Sequence, residues 1–522
     1  MAYYCFLIEI YSFKMSNIGA NSINFKFKSM YMLSEWDLTD LKNRGIRIED
    51  VYQQVEFFRN GFPWMNLEKS AVIGDGILKL SESEVGHWVN QFDILTANLQ
   101  IVKMVPASGA ATRMFKSLFE HVSEGKSNKE SDLFLSRLHD FAFSKALLSL
   151  CPSQDSNEII KTLLGEKGLD YGSLPKGLLA FHSYEDGSRT PLEEHLFEAA
   201  EYASDGKKAR LHFTVSPEHR ARFDNLVGEL MPKLESTFGI NYEVQFSEQK
   251  PATDTVAVQL DNELFREKDG SILFRPAGHG ALLENLNEIK ADLIFIKNID
   301  NVVPDAKRES TIRYKKAIGG LLLSITEKIK DYLLRLQGEI SEGLIVEILA
   351  FTNSHLGIKM SNDFSHLSDE EKVDWLKNIL HRPTRICGVV KNMGEPGGGP
   401  FWCSDGHGNF ALQLVESAQV DMENETQKEI FSNSTHFNPV DLVCSTRDYE
   451  GNYFNLLGFR DMSTGFITEK TKDGRKLKAQ ELPGLWNGAM AHWNTIFVEV
   501  PLDTFNPVKT VTDLLRPAHQ NG

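Results

Sequence analysis

A chain of 522 residues, 41% hydrophobic and 25% charged, is long enough for two or three domains around a sizeable core. Its formal net charge of −16 leaves no basic excess to neutralise phosphates, which excludes nonspecific binding to nucleic acid or to anionic membranes. No apolar run approaches the ~18 residues of a membrane span, and five scattered cysteines (Cys5, Cys151, Cys387, Cys403, Cys444) without CxxC spacing suggest neither a disulfide framework nor a zinc site and fit a reducing cytoplasm.

Residues 1–31 read as an extension or disordered tail. The run from Cys5 to Phe13 is apolar but holds Glu9, lacks a preceding basic region and is followed by no small-residue cleavage site, unlike a signal peptide; Met30 or Met32 is an alternative start. Residues 32–99 read as a small helical segment. Ile48, Val51, Val55 and Phe58 share one helical face before Gly61, and Val85, Trp88, Phe92 and Leu95 share another after a Ser81/Glu84 capping box.

An α/β core is expected over 100–305, with a helical insertion at 118–172. Ile101 to Val105 is a buried-type strand that runs into PASGAATRMFK. A strand, a small-residue loop and a basic residue at a helix start make a phosphate cradle, with backbone N–H groups facing the anion and Arg113 adding charge; small residues are also common at such turns for packing alone. In the insertion, Phe134, Leu135, Leu138, Phe141 and Ala142 share a face of a helical hairpin whose second helix spans about 158–164. Thr190, Pro191 and Glu193 then give an N-cap, a proline at the first helical position and a capping box. Lys176 precedes a buried strand, where a lone lysine is ordinarily just solvated. Strands follow at 211–215 and around Tyr242, Val244 and Phe246, with a helix from Ser216/Pro217 to about Phe238 between them.

The densest stretch is ILFRPAGHGALLENLNEIKADLIFIKNIDNVVPD, from residue 272 to 305. Pro276, Gly278 and Gly280 force a turn in which glycine lets the backbone approach a ligand; a short helix and the buried strand Leu293 to Ile296 follow, ending on Asn298, Asp300 and Asn301. In open α/β sheets ligands bind at such strand ends. An Asp flanked by amides there suits a Mg²⁺ that keeps most of its waters, and equally suits a solvated turn. Residues 306–385 read as a second helical insertion and 386–522 as a C-terminal α+β part with a mixed β extension. Within it GVVKNMGEPGGGPFW lacks phosphate-loop spacing and reads as a tight hairpin or lid.

Taken in order, these blocks resemble the UDP-glucose/UDP-sugar pyrophosphorylase family of the nucleotide-diphospho-sugar transferase superfamily. The matching stretches are the glycine loop at Gly109, Thr112, Arg113 and Met114; the PK-x-LL and TPLE block with Lys176; GHG and NIDN; E-x-AQV and FN with Glu416, Ala418, Gln419, Phe437 and Asn438; and PVKT-x-x-DLL with Lys509. Ser108 and Ala111 stand where the family has glycines, and Val440 and Asp441 where it has asparagines. The resemblance implies a mostly parallel, glycosyltransferase A-like sheet flanked by helices. It implies Ala107, Ser108, Gly109, Thr112, Gln249 and Gly278 at the nucleotide, and His279, Asn298, Glu416 and Asn438 at the sugar. It also implies Mg²⁺ on Asp300, and phosphate contacts from Arg113, Lys176 and Lys509. Asp441 reads as a second metal or sugar ligand, or as a surface residue. The implied partners are an NTP, UTP first, and a sugar 1-phosphate.

The residue types suit that chemistry. A sugar 1-phosphate is already ionised at neutral pH, so catalysis reduces to alignment and charge neutralisation without a dedicated base. A glycosyltransferase of the same fold and a noncatalytic nucleotide-sugar binder are the alternatives, the former not needing Lys509 and the latter favoured by the altered glycine loop. A purely structural protein would have no use for GHG, NIDN and PVK together.

Overall fold

The computed structural model describes residues 33–520 apart from 110, 152, 154, 361, 395, 396 and 407. By their internal contacts the described residues divide into two units: residues 33–62, 250–281 and 465–482 form the smaller, and residues 63–249, 282–464 and 483–520 the larger.

The larger unit is organised by nine strands: β1 (Val72–Ile73), β2 (Gly76–Leu78), β3 (Ile101–Pro106), β4 (Lys208–Thr214), β5 (Asn241–Ser247), β6 (Leu293–Lys297), β7 (Thr384–Lys391), β8 (His436–Ser445) and β9 (Asn494–Glu499). Their order across the sheet is β1-β2-β9-β7-β8-β6-β3-β4-β5. Only β8 runs antiparallel to its neighbours, so the sheet is mostly parallel. Alternation along the strands splits the packing into two cores. Leu293 and Phe295 of β6 face one, with Leu196, Ile318 and Leu322 from helices Pro191–Tyr202 and Glu309–Arg335. Ile294 and Ile296 face the other, with Leu283 and Leu286 of helix Leu282–Glu288 and Trp402 and Leu412 of a second, four-stranded sheet.

The chain winds outward from β3 through β4 to β5, then returns to lay β6 on the other side of β3. The carboxyl ends of β3 and β6 therefore flank the point where the winding reverses, the place where such sheets open a crevice.

The smaller unit packs helices Glu35–Arg44 and Ile48–Asn60 on an antiparallel sheet in the order Phe274–Arg275, Thr255–Val258, Arg475–Glu481, Phe466–Lys472. Val51, Val55, Phe58, Val256 and Val258 fill its core.

Several local expectations need correction. The stretch 32–99 also contains strands, two of which extend the large sheet. The insertion after β3 is four short helices (Lys116–Glu124, Lys129–Ser136, Ser144–Leu150, Ser156–Leu164) rather than a hairpin, and their apolar faces close on Val508, Val511 and Leu514 from the chain's end. The glycine-rich run after β7 is not a hairpin, because strand Gly399–Ser404 on its far side belongs to the four-stranded sheet. The proposed tail 1–31 lies outside the described residues.

Candidate functional site

Four separated stretches converge at the carboxyl ends of β3 and β6. Lys176 sits in the turn Lys176–Leu178, not directly before a strand, and its Nζ donates to Asp300 Oδ2 and to the Val508 carbonyl, each at 2.6 Å. Both side chains of the pair are about one-sixth exposed (17% and 16%), so water screens the contact only in part. Asn301 fixes the C-terminal stretch from the other side: its Nδ2 donates to the Thr504 carbonyl (3.2 Å) and its Oδ1 accepts from the Asn506 N–H (2.8 Å). Asp513 Oδ2 then accepts from the backbone N–H groups of Lys509 and Thr510, at 2.8 Å each, leaving the Lys509 side chain exposed.

The loop after β3 joins the same group through its backbone. Ala107 N–H donates to the Thr214 carbonyl at 2.8 Å, Ala111 N–H to Leu174 at 3.1 Å, and the Met114 carbonyl accepts from Val511 N–H at 3.0 Å. Arg113 lies in the turn Ala111–Arg113 rather than at a helix start, since the helix begins only at Lys116. Its side chain is exposed and makes no ion pair among the described residues. Ser108 is half-buried, while Gly109 and Thr112 are exposed.

Beneath the crevice lies a buried charge cluster with no counterpart in the sequence reading. Lys103 of β3 and Lys297 of β6 point to the helix-covered face, where Glu198 accepts from both at 2.8 Å. All three are essentially without solvent contact. Burial works against the Glu198 charge, but Lys103 and then Lys297 outweigh it and hold the carboxyl well below its usual range. Burial brings Lys103 down to about 7 despite Glu198. His195, one helical turn before Glu198, has its Nε2 3.2 Å from the carbonyls of both Asn298 and Ile299. Carbonyls only accept, so this is the Nε2–H tautomer. Burial, followed by the Lys103 charge, keeps the ring neutral. His195 thus holds the two peptide units that precede Asp300.

The other expected residues fall as follows. Asn298 is half-buried with its carbonyl on His195. Gln249 is half-buried just past β5. Glu416 Oε1 accepts from Asn487 Nδ2 at 2.9 Å, and Asn438 is buried on β8 with its N–H on the Gly398 carbonyl. Gly278 and His279 belong to the smaller unit. Gly278 has φ +58, a conformation that favours glycine, and a Cβ on Gly280 would stand 2.4 Å from the Leu482 Cβ, so packing alone accounts for Gly280. Asp441 is not a surface residue. It faces Lys297 across the sheet register, is buried, and its carboxylate is ion-paired to the buried Lys315.

Asp300 and Asp441 therefore differ as metal ligands. Asp300 Oδ1 has no protein partner among the described residues, while Oδ2 is held by Lys176. No cluster of three or more His, Cys, Asp or Glu side chains suited to a metal occurs among the described residues. One open carboxylate oxygen fits Mg²⁺, which takes one or two carboxylates together with phosphates and water. Asp441, neutralised by Lys315, does not fit.

Residues 34–520 match the family described as "Domain of unknown function (DUF4301)". The chain belongs to the DUF4301 family. No curated protein matches it in sequence. Among solved structures, this family member resembles a mutant UDP-glucose pyrophosphorylase of Leishmania major in complex with UDP-glucose, at 15% identity over 92% of this chain and 77% of that one, with a TM-score of 0.42. The uridine diphosphate N-acetylglucosamine pyrophosphorylase of Trypanosoma brucei in complex with an inhibitor gives 12%, 89%, 74% and 0.46. A UDP-glucose phosphorylase of Trypanosoma brucei gives 14%, 93%, 80% and 0.42. No helix of the described residues is long and apolar enough to cross a membrane.

Proposed function

We propose that the chain is a cytoplasmic nucleotidyltransferase that moves a nucleotidyl group from an NTP, UTP first, to a sugar 1-phosphate and releases pyrophosphate. The observation that carries this reading is the Lys176 ammonium, held 2.6 Å from both Asp300 Oδ2 and the Val508 carbonyl at the reversal of the sheet's winding. Three sequence-distant blocks that the resemblance marks as phosphate-handling thereby meet at one point.

In this reading a sugar 1-phosphate oxygen bonds to the α-phosphorus while the α–β phosphoanhydride bond breaks, and the electron pair leaves on pyrophosphate. Lys176, Lys509 and Arg113 offset the charge that develops on the α-phosphoryl and leaving groups. Mg²⁺ on Asp300 would supply further charge neutralisation when bound. Gln249 offers a donor and an acceptor on one amide, as the imide edge of uracil requires. His195 keeps the Asp300 turn in place without touching substrate.

A grid of NTPs against sugar 1-phosphates with Mg²⁺, read as pyrophosphate, tests the proposal. Pyrophosphate is expected only when both substrates are present. Folded protein silent across the whole grid contradicts it.

A further inference from the structure

The crevice that holds Asp300 is locally cationic although the chain as a whole carries a net charge of −16. The Lys176 ammonium lies on Asp300 Oδ2, and Lys509 directly follows Val508, whose carbonyl is the second acceptor of that ammonium. Arg113 stands on the loop after β3, which holds the C-terminal stretch through the Met114 carbonyl and Val511 N–H. The side chains of Arg113 and Lys509 are exposed and form no ion pair among the described residues. The carboxylates that come with this stretch are engaged elsewhere. Asp513 takes the N–H groups of Lys509 and Thr510 on Oδ2 and Arg516 on Oδ1, and Glu130 accepts from Thr512 Oγ1.

Asp300 is thus the carboxylate left to receive a metal, and Lys176 already offsets its charge. A divalent cation approaching Oδ1 meets an ammonium on the other oxygen of the same carboxylate. Like charges that close, in a crevice where both side chains are only about one-sixth exposed (17% and 16%), repel with little screening. A polyphosphate reverses that balance. It is drawn by Lys176, Lys509 and Arg113, and it brings both the missing negative charge and the oxygens with which Mg²⁺ prefers to be bound. An ammonium has three donors; Lys176 spends two of them, on Asp300 and Val508, and keeps the third for a phosphate oxygen.

We propose that Lys176 closes Asp300 to a free divalent cation, so that the metal enters only together with a polyphosphate. The inference rests on the reading of Asp300 as the metal ligand and adds to it a condition on when that ligand can be used. Lys176 then has two roles on one atom: Nζ contacts phosphate, and through its hold on Oδ2 it keeps the crevice from filling with metal before the substrate arrives.

Fe²⁺ in place of Mg²⁺, with ascorbate and peroxide, cuts the backbone next to where it is bound, and mass spectrometry of the fragments from the full chain locates the cut apart from any surface carboxylate. The wild type should stay whole across 298–302 with Fe²⁺ alone and be cut there once inorganic triphosphate is added. Lys176→Gln, which removes the charge and can still donate to both acceptors, should be cut there by Fe²⁺ alone, roughly tenfold or more above the wild type. Lys176→Leu should do the same, and whichever variant keeps a native melting transition serves. Lys509→Gln removes one charge from the same crevice but none from Asp300, and should gain far less. Adding Asp300→Asn to Lys176→Gln should abolish the gain. The inference is overturned if Fe²⁺ alone cuts the wild type as strongly as Fe²⁺ with triphosphate, if triphosphate brings no cut, or if neither Lys176 variant gains one. An equal gain in Lys509→Gln, or a gain that survives Asp300→Asn, also overturns it. An Asp300-dependent gain beside a silent substrate grid removes the nucleotidyltransferase reading and leaves this inference standing, whereas turnover in the grid without the gain removes this inference alone.

Discussion

Glu198→Gln is the sharpest test of the buried cluster beneath the crevice. The substitution keeps shape but removes the negative charge that Lys103 and Lys297 share at 2.8 Å each, and it places an amide N–H₂ against one ammonium. Breaking a buried ion pair from one side costs about 3–5 kcal/mol. Two lysines lose their partner, yet the costs do not double: Lys103 already sits at about 7, so it sheds its proton at neutral pH once the carboxylate is gone. The loss then falls on Lys297, about 3–5 kcal/mol, which at about 2–4 °C per kcal/mol lowers the melting midpoint by roughly 6–20 °C. Calorimetry of both proteins at pH 7 measures this. A drop of less than about 2 °C at pH 7 would refute the reasoning.

Lys103 itself carries a pH signature. Below about pH 7 it is charged in both folded and unfolded chains, and the wild type bears the full cost of burying it; between about 7 and its ordinary 10.5 the unfolded chain binds more protons, so stability relative to Lys103→Met should rise with pH. Denaturant midpoints across that window check the sign, and a flat difference counts against it. His195→Leu should lower turnover by roughly 10–100-fold with little change in KM, because it releases the peptides before Asp300, whereas His195→Gln, which retains an N–H donor, should keep most activity. Gly280→Ala should destabilise the smaller unit by about 1–3 kcal/mol, since its Cβ would meet Leu482 at 2.4 Å, and unchanged melting of that unit would contradict the packing.

Local chemistry was legible in the sequence where it is decided within a few residues. The capping boxes at Ser81/Glu84 and Thr190/Glu193 form as read, because a cap is a matter of four consecutive residues. The buried strand after GHG is β6, and its polar end does reach the reversal of the winding. Long-range partners were not legible. Nothing near Asp441 announces Lys315, which arrives from a helix 126 positions earlier, and Lys103 and Lys297 interrupt apolar strands without any local sign that Glu198 neutralises them. The expectation that Lys176 contacts phosphate rests on the resemblance alone. That it holds Asp300 and Val508 depends on how the C-terminal stretch is pinned by Asn301, which no periodicity reports.

The most direct test of the central claim is the rate of pyrophosphate release as a function of Mg²⁺ from the NTP and sugar 1-phosphate that the substrate grid selects, for the wild type and Asp300→Asn, beside their ligand-free melting midpoints. Asn keeps the side chain's shape and can still accept from Lys176, so the midpoint should move little, while the lost charge should lower kcat by orders of magnitude and shift any residual activity to much higher Mg²⁺. Near-normal kcat with the same Mg²⁺ dependence would contradict the account, because Asp300 would then only close a turn.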